Sequence, residues 1–219
     1  MIGYADALLV SYIKGKLFGF PYNNYIKQVV IDEAQDYNYL QYVIIKEMFP
    51  KSSFTILGDV NQNINPYWKY NLKTIFPDSK YLELLKTYRS TKEIMDYTNK
   101  ILNLNYLNAI KKSNNKAVLI RKNIGSFKES LLEDIVSYTR IYKSLAIITK
   151  EDRKANAIYH LLKDEVNISL LNEDSKKFIK NLVVIPSYIA KGLEFDCVII
   201  IDQDNNFKLD KYLYYVACT

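Results

Sequence analysis

The feature that most constrains this chain is an apolar run, Gln28–Ile31, which stops at the acidic sequence DEAQD of residues 32–36. Strands of a parallel sheet are buried on both faces, and ligands bind outside the carboxyl ends of such strands. At that end, one carboxylate can bind a divalent metal while a second orients or deprotonates water. A helix-capping turn would explain Asp36, but it would not explain Asp32 or Glu33. The run therefore predicts the acidic half of a site that hydrolyses nucleotides.

Strand-length apolar runs alternate along the chain with stretches of helical spacing. The predicted strands cover residues 28–32, 53–58, 80–85, 117–121, 145–149, 167–171, 182–186 and 197–202. The predicted helices cover residues 39–49, 91–108, 126–142 and 152–163. Asp36 is the predicted N-cap of the first helix, and Ser90 with Glu93 forms a predicted capping box for the second. This alternation predicts an α/β fold in which helices flank parallel sheets.

Two turn-rich segments suggest how the chain is divided. Residues 61–66 have turn composition, and residues 76–79 (FPDS) have the composition of a linker. We therefore place a domain boundary near residue 78, with one piece at residues 1–78 and a larger one at residues 79–219. The first piece contains only two clear strands, which is few for a free-standing parallel sheet.

Two further polar sequences follow predicted strands. Gly58-Asp59 ends the second strand, and the Gln62 amide after it can orient water or a terminal phosphate without carrying charge. Arg89 suits bidentate contact with phosphate, and Tyr88 offers a flat face to a base. Ordinary turn composition, or a solvated arginine near a helix start, would also account for these residues.

The strand predicted at residues 182–186 leads into another such sequence. The turn Lys191-Gly192 can bring backbone N–H groups close to a phosphate or a sugar, and Glu194 can accept a hydrogen bond from a ribose hydroxyl. Taken alone, this is a signal of moderate specificity for a nucleotide site.

Composition narrows the class of protein. Of the 219 residues, 49% are hydrophobic and 25% are charged, which is typical of a soluble globular protein. The net charge of +6 permits a polyanionic partner without requiring one. Cys197 and Cys218 are predicted to be buried reduced thiols, and the single histidine, His160, excludes a histidine-based metal cluster. Because the sequence shows neither a signal peptide nor a membrane-length apolar run, we predict a cytoplasmic protein with no membrane partner.

Taken together, these sequences resemble motifs II to VI of the UvrD/Rep-type superfamily 1 helicases, in that family's order. The matching segments are DEAQD at 32–36, GDVNQ at 58–62, YRS at 88–90, AKGLEFD at 190–196 and YVACT at 215–219. The sequence of residues 185–196 is most similar to that of the helicase IV/HelD-like branch. The short span between Tyr88 and Leu182 also resembles that branch. The resemblance implies a RecA-like P-loop NTPase fold, with a partial first and a nearly complete second motor domain.

The resemblance also implies roles for the acidic residues. Asp32 would bind magnesium, Glu33 would activate the attacking water, and Gln62 would sense the terminal phosphate of ATP and couple it to DNA contact. The first two motifs would belong to the first RecA-like domain, and the other three to the second.

For the second domain, the resemblance implies nucleotide contacts. Tyr88 would stack on adenine and Arg89 would contact the γ-phosphate. Gly192 and Glu194 would contact phosphate and ribose respectively. In the implied mechanism, ATP hydrolysis between the two domains drives movement along single-stranded DNA.

Three aromatic residues are candidates for the contact with nucleic acid. In the family, an aromatic residue shortly after motif III stacks on a single-stranded base. Tyr67 and Trp68 both lie near that position, and the sequence does not distinguish them. Tyr188 stands where UvrD proteins usually carry a histidine.

The sequence also departs from the family pattern. It contains no Gly-x-x-x-x-Gly-Lys-Ser/Thr loop, and it stops at Thr219, one residue before the arginine of motif VI. We therefore expect a C-terminal fragment that hydrolyses ATP negligibly by itself.

The sequence is also compatible with two other functions. A HelD-like ATPase would associate with RNA polymerase and remodel or recycle it, and the sequence around motif V (residues 185–196) favours that role. A non-catalytic RecA-like module would bind nucleic acid or protein, and the missing phosphate-binding loop supports it. The intact residues Asp32, Glu33, Gln62 and Arg89 count against a module relieved of catalysis.

Overall fold

The computed structural model divides into two units by its internal contacts, Met1–Leu82 (unit 1) and Glu83–Thr219 (unit 2). The structure describes residues 3–64, 72–105, 108–113, 120, 125–173, 175, 181–202, 207 and 210–219. The predicted assignment of residues 1–78 and 79–219 to a first and a second RecA-like domain stays a prediction.

Unit 1 pairs two parallel strands and flanks them with helices. Its elements are α1 (Tyr4–Phe18), β1 (Gln28–Ile31), a 3₁₀ turn (Ala34–Asp36), α2 (Tyr39–Met48), β2 (Ser53–Ile56), a second 3₁₀ turn (Val60–Gln62) and α3 (Leu72–Ile75). The register runs from Gln28 opposite Ser53 to Ile31 opposite Ile56, so both strands end at the same edge.

Packing in unit 1 centres on a buried tyrosine. Tyr42 of α2 is fully buried, its hydroxyl donates to the Ala34 carbonyl (2.7 Å), and its ring packs edge-on against Phe76. Helix α2 begins after Asn38, whose side chain accepts from the Gln41 N–H. The prediction that Asp36 caps this helix is therefore wrong. The two residues after Asp36 extend the chain before the first helical turn.

Unit 2 is built around four parallel strands. Its elements are β3 (Lys86–Thr87), α4 (Lys92–Leu102), β4 (Asn108–Ala109), α5 (Phe127–Thr139), β5 (Leu145–Thr149), α6 (Asp152–Leu162), β6 (Ser169–Leu170), β7 (Leu182–Pro186), α7 (Ser187–Ala190), β8 (Cys197–Ile201) and α8 (Lys211–Cys218). The four-stranded sheet has the order β6-β7-β5-β8, and β3 pairs with β4 in a separate parallel pair.

The side chains of β5 alternate between two hydrophobic layers. Leu145 and Ile147 belong to one buried cluster, with residues of α5 and α6. Ala146 and Ile148 belong to another, with residues of α7 and α8. Helices therefore cover both faces of the sheet, which is why β5 reads as an uninterrupted apolar run. The predicted α/β fold with parallel sheets flanked by helices is confirmed.

Some predicted elements are shifted or wrong. Residues 80–85 form no strand, and Leu82 and Leu84 there are 87% and 86% exposed. The strand instead lies at Lys86–Thr87, which pairs with Asn108–Ala109. The strand predicted at residues 117–121 lies outside the described residues except for Ile120.

Helix α4 is shorter than predicted, and its start differs. Thr91 is the N-cap residue, and the predicted Ser90–Glu93 capping box is absent. Glu93 instead accepts a hydrogen bond from the Ser113 N–H (3.0 Å). A hydrogen bond from its own backbone N–H, followed by this bond from Ser113, lowers the pKa of the Glu93 carboxyl group. The helix ends at Leu102, and the left-handed backbone of the next residue, Asn103 (φ 55°), stops the helical repeat.

Within the described part of the chain, no helix combines the length and the apolar character that a membrane span requires.

Candidate active site

The predicted site residues fall in both units. Unit 1 contains Asp32, Glu33 and Gln62, whereas unit 2 contains Tyr88, Arg89, Gly192 and Glu194.

The acidic residues of unit 1 follow directly after β1. Asp32 and Glu33 are both exposed, and Asp32 Oδ1 accepts a hydrogen bond from the Glu33 N–H at 2.8 Å. The Glu33 backbone is left-handed (φ 49°, ψ 42°), a conformation that costs a residue with a Cβ roughly 1–2 kcal/mol. The chain therefore turns sharply at Glu33, and its neighbour Ala34 begins the 3₁₀ turn.

Gln35 links this acidic turn to the end of β2. Its Nε2 donates to Glu33 Oε2 at 2.6 Å, and its Oε1 accepts from the Asp59 N–H at 3.0 Å. Gln35 is only 9% exposed, although it stands in a strongly polar sequence. The residues after β1 and those after β2 are thus joined by one side-chain amide.

Backbone hydrogen bonds bring the two strand ends into close contact. The Leu57 N–H donates to the Ile31 carbonyl and the Ala34 N–H to the Leu57 carbonyl, both at 2.8 Å. A Cβ at Gly58 would lie 2.7 Å from Gln35 Oε1 and 3.0 Å from the Ala34 Cβ. Position 58 therefore requires glycine because a larger residue would displace the Gln35 amide.

Gln62 is carried by the second 3₁₀ turn. Asp59 caps this turn through Oδ1, which accepts from the Asn61 N–H at 2.9 Å, and the Gln62 N–H donates to the Asp59 carbonyl at 3.0 Å. Gln62 is half-buried. The turn thus fixes the backbone of Gln62 just beyond the edge at which Asp32 and Glu33 lie.

The donor chemistry at Asp32 fits magnesium. This ion prefers oxygen ligands, keeps several waters and needs only one or two carboxylates, and Asp32 supplies an exposed one. Among the described residues, no group of three or more His, Cys, Asp or Glu side chains could form a metal cage. A site at Asp32 would therefore depend on water and on phosphate oxygens for its remaining ligands.

In unit 2, Arg89 and Glu194 form an ion pair. Arg89 Nε lies 2.7 Å from Glu194 Oε1, and the two side chains are 65% and 64% exposed. Tyr88, next in sequence, is 73% exposed. The structure thus brings together two residues that the sequence assigns to phosphate and to ribose, and it leaves the neighbouring ring open to solvent.

Gly192 lies in a turn between α7 and β8. Its φ of 78° is in the left-handed region that favours glycine, and a Cβ there would meet no atom within 4 Å. The Leu193 N–H donates to the Ala190 carbonyl at 2.9 Å, which closes this turn. Backbone conformation rather than crowding therefore accounts for glycine at position 192.

Tyr188 is held by an aspartate at the start of α6. Its hydroxyl donates to the Asp152 carboxylate, with oxygen distances of 2.9 and 2.8 Å. Burial, followed by the bond to Asp152, raises the pKa of Tyr188 to about 12. The adjacent Ser187 hydroxyl donates to the Lys150 carbonyl at 3.3 Å, so α7 is tied to the loop after β5.

The other sequence predictions have mixed outcomes. Tyr67 and Trp68 lie outside the described residues. Cys197 and Cys218 are half-buried and form no disulfide, and burial raises their pKa values to about 11 and about 12. Neither thiol suits a nucleophile at neutral pH.

Sequence reasoning gave no role to three residues that the structure connects to the site, namely Gln35, Gly58 and Asp152. An amide between two carboxylates was the available signal for Gln35, and a glycine directly after an apolar strand was the signal for Gly58. No local pattern pairs Asp152 with Tyr188, because 36 positions separate them in sequence.

A family model matches the first part of the chain. Residues 20–80 match the UvrD/REP helicase N-terminal domain. The matched range contains Asp32, Glu33, Gln35 and Gln62, so it covers the acidic turn and the second 3₁₀ turn of unit 1.

Individual relatives are also helicases. The chain is 28% identical over 203 residues to the ATP-dependent DNA helicase Rep of Buchnera aphidicola (strain APS), covering 83% of this chain and 30% of that protein. It is 28% identical over 95 residues to the ATP-dependent DNA helicase UvrD1 of Mycobacterium tuberculosis (strain H37Rv), covering 37% of this chain and 12% of that one. The chain thus spans less than a third of the length of these two relatives.

A solved structure shows a further likeness. The C-terminal domain of a possible DNA helicase from Lactobacillus plantarum WCFS1 is 25% identical, with a TM-score of 0.46 over 60% of this chain and 80% of that one. The family match and the sequence relatives make this chain similar to the UvrD-type superfamily 1 helicases. The observed parallel sheets flanked by helices fit the RecA-like fold.

Proposed function

We propose that this chain, a relative of the UvrD-type superfamily 1 helicases, is part of an ATP-dependent DNA helicase or translocase that moves on single-stranded DNA. The observation that carries this proposal is the junction after β1 and β2. There Asp32, Glu33 and the turn of Asp59 and Gln62 lie at the carboxyl ends of two paired parallel strands, and Gln35 joins Glu33 to Asp59. This is the edge of a parallel sheet at which ligands bind.

In unit 1, Asp32 would bind magnesium and Glu33 would act as the general base. Bound magnesium would neutralise developing charge on the phosphate oxygens of ATP. Glu33 would accept the proton of the attacking water, and its exposed carboxylate can reach a ligand at the sheet edge. Gln62 would orient that water or the terminal phosphate through its amide.

In unit 2, Arg89 would contact the γ-phosphate of ATP and Tyr88 would stack on adenine. The ion pair with Glu194 uses Arg89 Nε, and the remaining N–H donors of a guanidinium suit bidentate contact with phosphate. The open Tyr88 ring suits stacking. Gly192 and Glu194 would contact phosphate and ribose, and Glu194 would do so with the carboxylate that orients Arg89.

For nucleic acid, we keep Tyr67, Trp68 and Tyr188 as candidate contacts. The bond to Asp152 occupies the Tyr188 hydroxyl, so any contact with a base would use the ring rather than the hydroxyl. We place the protein in the cytoplasm, in contact with DNA and not with a membrane.

The 219-residue chain by itself is expected to hydrolyse ATP negligibly. Its 219 residues contain no Gly-x-x-x-x-Gly-Lys-Ser/Thr sequence, which in P-loop enzymes supplies the backbone N–H groups and the lysine that hold the phosphates. Sustained turnover by this chain that Glu33→Gln abolishes would contradict this expectation.

The experiment that tests the function measures ATP hydrolysis by the full-length gene product, with single-stranded DNA in one arm and RNA polymerase in the other. Strong stimulation by DNA, accompanied by strand unwinding or translocation, is the expected result. Stimulation only by RNA polymerase would instead support the HelD-like alternative, which the sequence of residues 185–196 favours. Nucleic-acid binding with no hydrolysis in either arm would support the non-catalytic module.

A further inference from the structure

Gln35 is buried at the junction between two polar turns, and both ends of its amide are used. The Asp59 N–H needs an acceptor, which sets Oε1 toward it and leaves Nε2 to face the Glu33 carboxylate. Neither a carboxylate nor an apolar side chain of the same length could make both bonds, because one bond requires an acceptor and the other a donor.

The surroundings hold this amide in one place. Gly58 lies so close that a Cβ there would come within 2.7 Å of Gln35 Oε1. The Ala34 backbone beside it is itself bonded at both ends, through its N–H to the Leu57 carbonyl and through its carbonyl to the Tyr42 hydroxyl. The position of the Gln35 side chain is therefore determined by packing as well as by its hydrogen bonds.

We infer that Gln35 is a positioning residue for ATP hydrolysis, which holds the Glu33 carboxylate in place and couples it to the turn that carries Gln62. This inference rests on the proposed function. Glu33 is otherwise exposed on a left-handed turn, where its side chain would sample several rotamers. Through Gln35, a shift of the Asp59 backbone on one side moves the carboxylate on the other.

Two variants of Gln35 separate its two hydrogen bonds, and a third variant serves as the control. Gln35→Met keeps the length of the side chain and removes both bonds. Gln35→Glu keeps an acceptor for the Asp59 N–H but turns a like charge toward Glu33. Gln28→Met is the matched control. It removes a hydrogen bond from a glutamine amide, Gln28 Nε2 to Thr55 Oγ1, at the amino-terminal end of β1, which is opposite to the end at which Glu33 lies.

The first measurement is hydrogen exchange of the Asp59 backbone amide in the 219-residue chain. We expect exchange to be about tenfold faster in Gln35→Met, because a hydrogen bond near 1.4 kcal/mol is lost. In Gln35→Glu and Gln28→Met, exchange at Asp59 should stay at the wild-type rate. Unchanged exchange in Gln35→Met would overturn the inference.

The second measurement is steady-state ATP hydrolysis by the full-length gene product. We expect kcat to fall about 10- to 100-fold in both Gln35→Met and Gln35→Glu, with KM for ATP nearly unchanged, because misplacing a catalytic group slows the chemical step rather than binding. Gln28→Met should match the wild type. Far-UV circular dichroism and thermal unfolding of each variant confirm that the fold is intact.

Gln35→Glu is the decisive variant. If it turns over ATP as fast as the wild type while Asp59 stays protected, contact between Gln35 and Glu33 has no part in the reaction and the inference fails. Wild-type protein without any ATP hydrolysis would overturn the proposed function instead, so the two failures are distinguishable.

Discussion

The acidic part of the candidate site in unit 1 and the arginine part in unit 2 are held in different ways. In unit 1, the Gln35 amide joins Glu33 to Asp59. This junction is so closely packed that position 58 has no room for a residue larger than glycine. In unit 2, Arg89 is held by one ion pair, and both of its side chains are about two-thirds exposed. The position of the Glu33 side chain in unit 1 is therefore set by packed, buried neighbours, whereas the position of the Arg89 side chain in unit 2 depends on a solvent-exposed ion pair.

This difference matches what each group has to do in the proposed reaction. A general base must lie within hydrogen-bond reach of the proton it removes, so a small displacement slows the chemical step. A guanidinium on a flexible side chain can adjust to its phosphate, and the phosphate itself supplies strong, bidentate bonds. A rigidly held side chain therefore matters more for the proposed role of Glu33 than for that of Arg89.

The largest effect is expected from Glu33→Gln, which keeps the size of the side chain and removes its basicity. ATP hydrolysis by the full-length gene product should fall about 10²- to 10⁴-fold, because proton transfer to a positioned base contributes that much. Glu47→Gln is the control, since Glu47 is also an exposed glutamate of unit 1 but lies on α2 and pairs with Lys16. Equal loss of activity in both variants would show that Glu33 has no special role.

The next effect is expected from Gly58→Ala. The new methyl group would meet the Gln35 amide and the Ala34 backbone, so unit 1 should lose about 1–3 kcal/mol of unfolding free energy. Urea unfolding followed through the backbone amides of β1 and β2 measures this loss. Gly125→Ala in unit 2 is the control, because a Cβ there meets no atom within 4 Å, and the unfolding free energy of unit 1 measured in the same way should change little. A harmless Gly58→Ala would mean that the junction is looser than the one described.

A smaller effect should distinguish two replacements of Glu33. Both Glu33→Gly and Glu33→Ala remove the carboxylate, but only glycine adopts the left-handed backbone without strain. Glu33→Gly should therefore be about 1 kcal/mol more stable than Glu33→Ala in urea unfolding. At Glu47, within α2, the order should reverse, because alanine favours helix and glycine disfavours it. The same order at both sites would argue against strain at Glu33.

The comparison also shows how far the sequence alone predicts this molecule. The strands β5 and β7 lie at their predicted bounds, because strands buried on both faces produce continuous apolar runs. The strand predicted at residues 80–85 is wrong, since the apolar residues there are exposed and the true strand is chosen by pairing with residues 108–109. Apolar content alone cannot supply that long-range partner.

The candidate site divides in the same manner. Sequence predicts the residue types, because carboxylates after an apolar strand and an arginine before a helix are local patterns. It does not predict that Gln35 reaches Asp59, or that Arg89 pairs with Glu194 across 105 positions (194 − 89), because both contacts depend on how the elements pack. The supporting contacts are thus a product of the fold.

The smallest effect is expected from Glu194→Gln, which removes the ion pair of unit 2. Because an exposed pair contributes roughly 0–1 kcal/mol, the unfolding free energy of unit 2 should change by less than about 0.5 kcal/mol, and still less in high salt. Glu165→Gln, which breaks the exposed Lys128–Glu165 pair of the same unit, should behave alike. Suppose that Glu194→Gln lowered the unfolding free energy of unit 2 by more than Gln35→Met lowers that of unit 1, while Glu165→Gln had little effect. Arg89 would then be held more firmly than Glu33. The difference between the two regions would then run opposite to the one inferred from their burial.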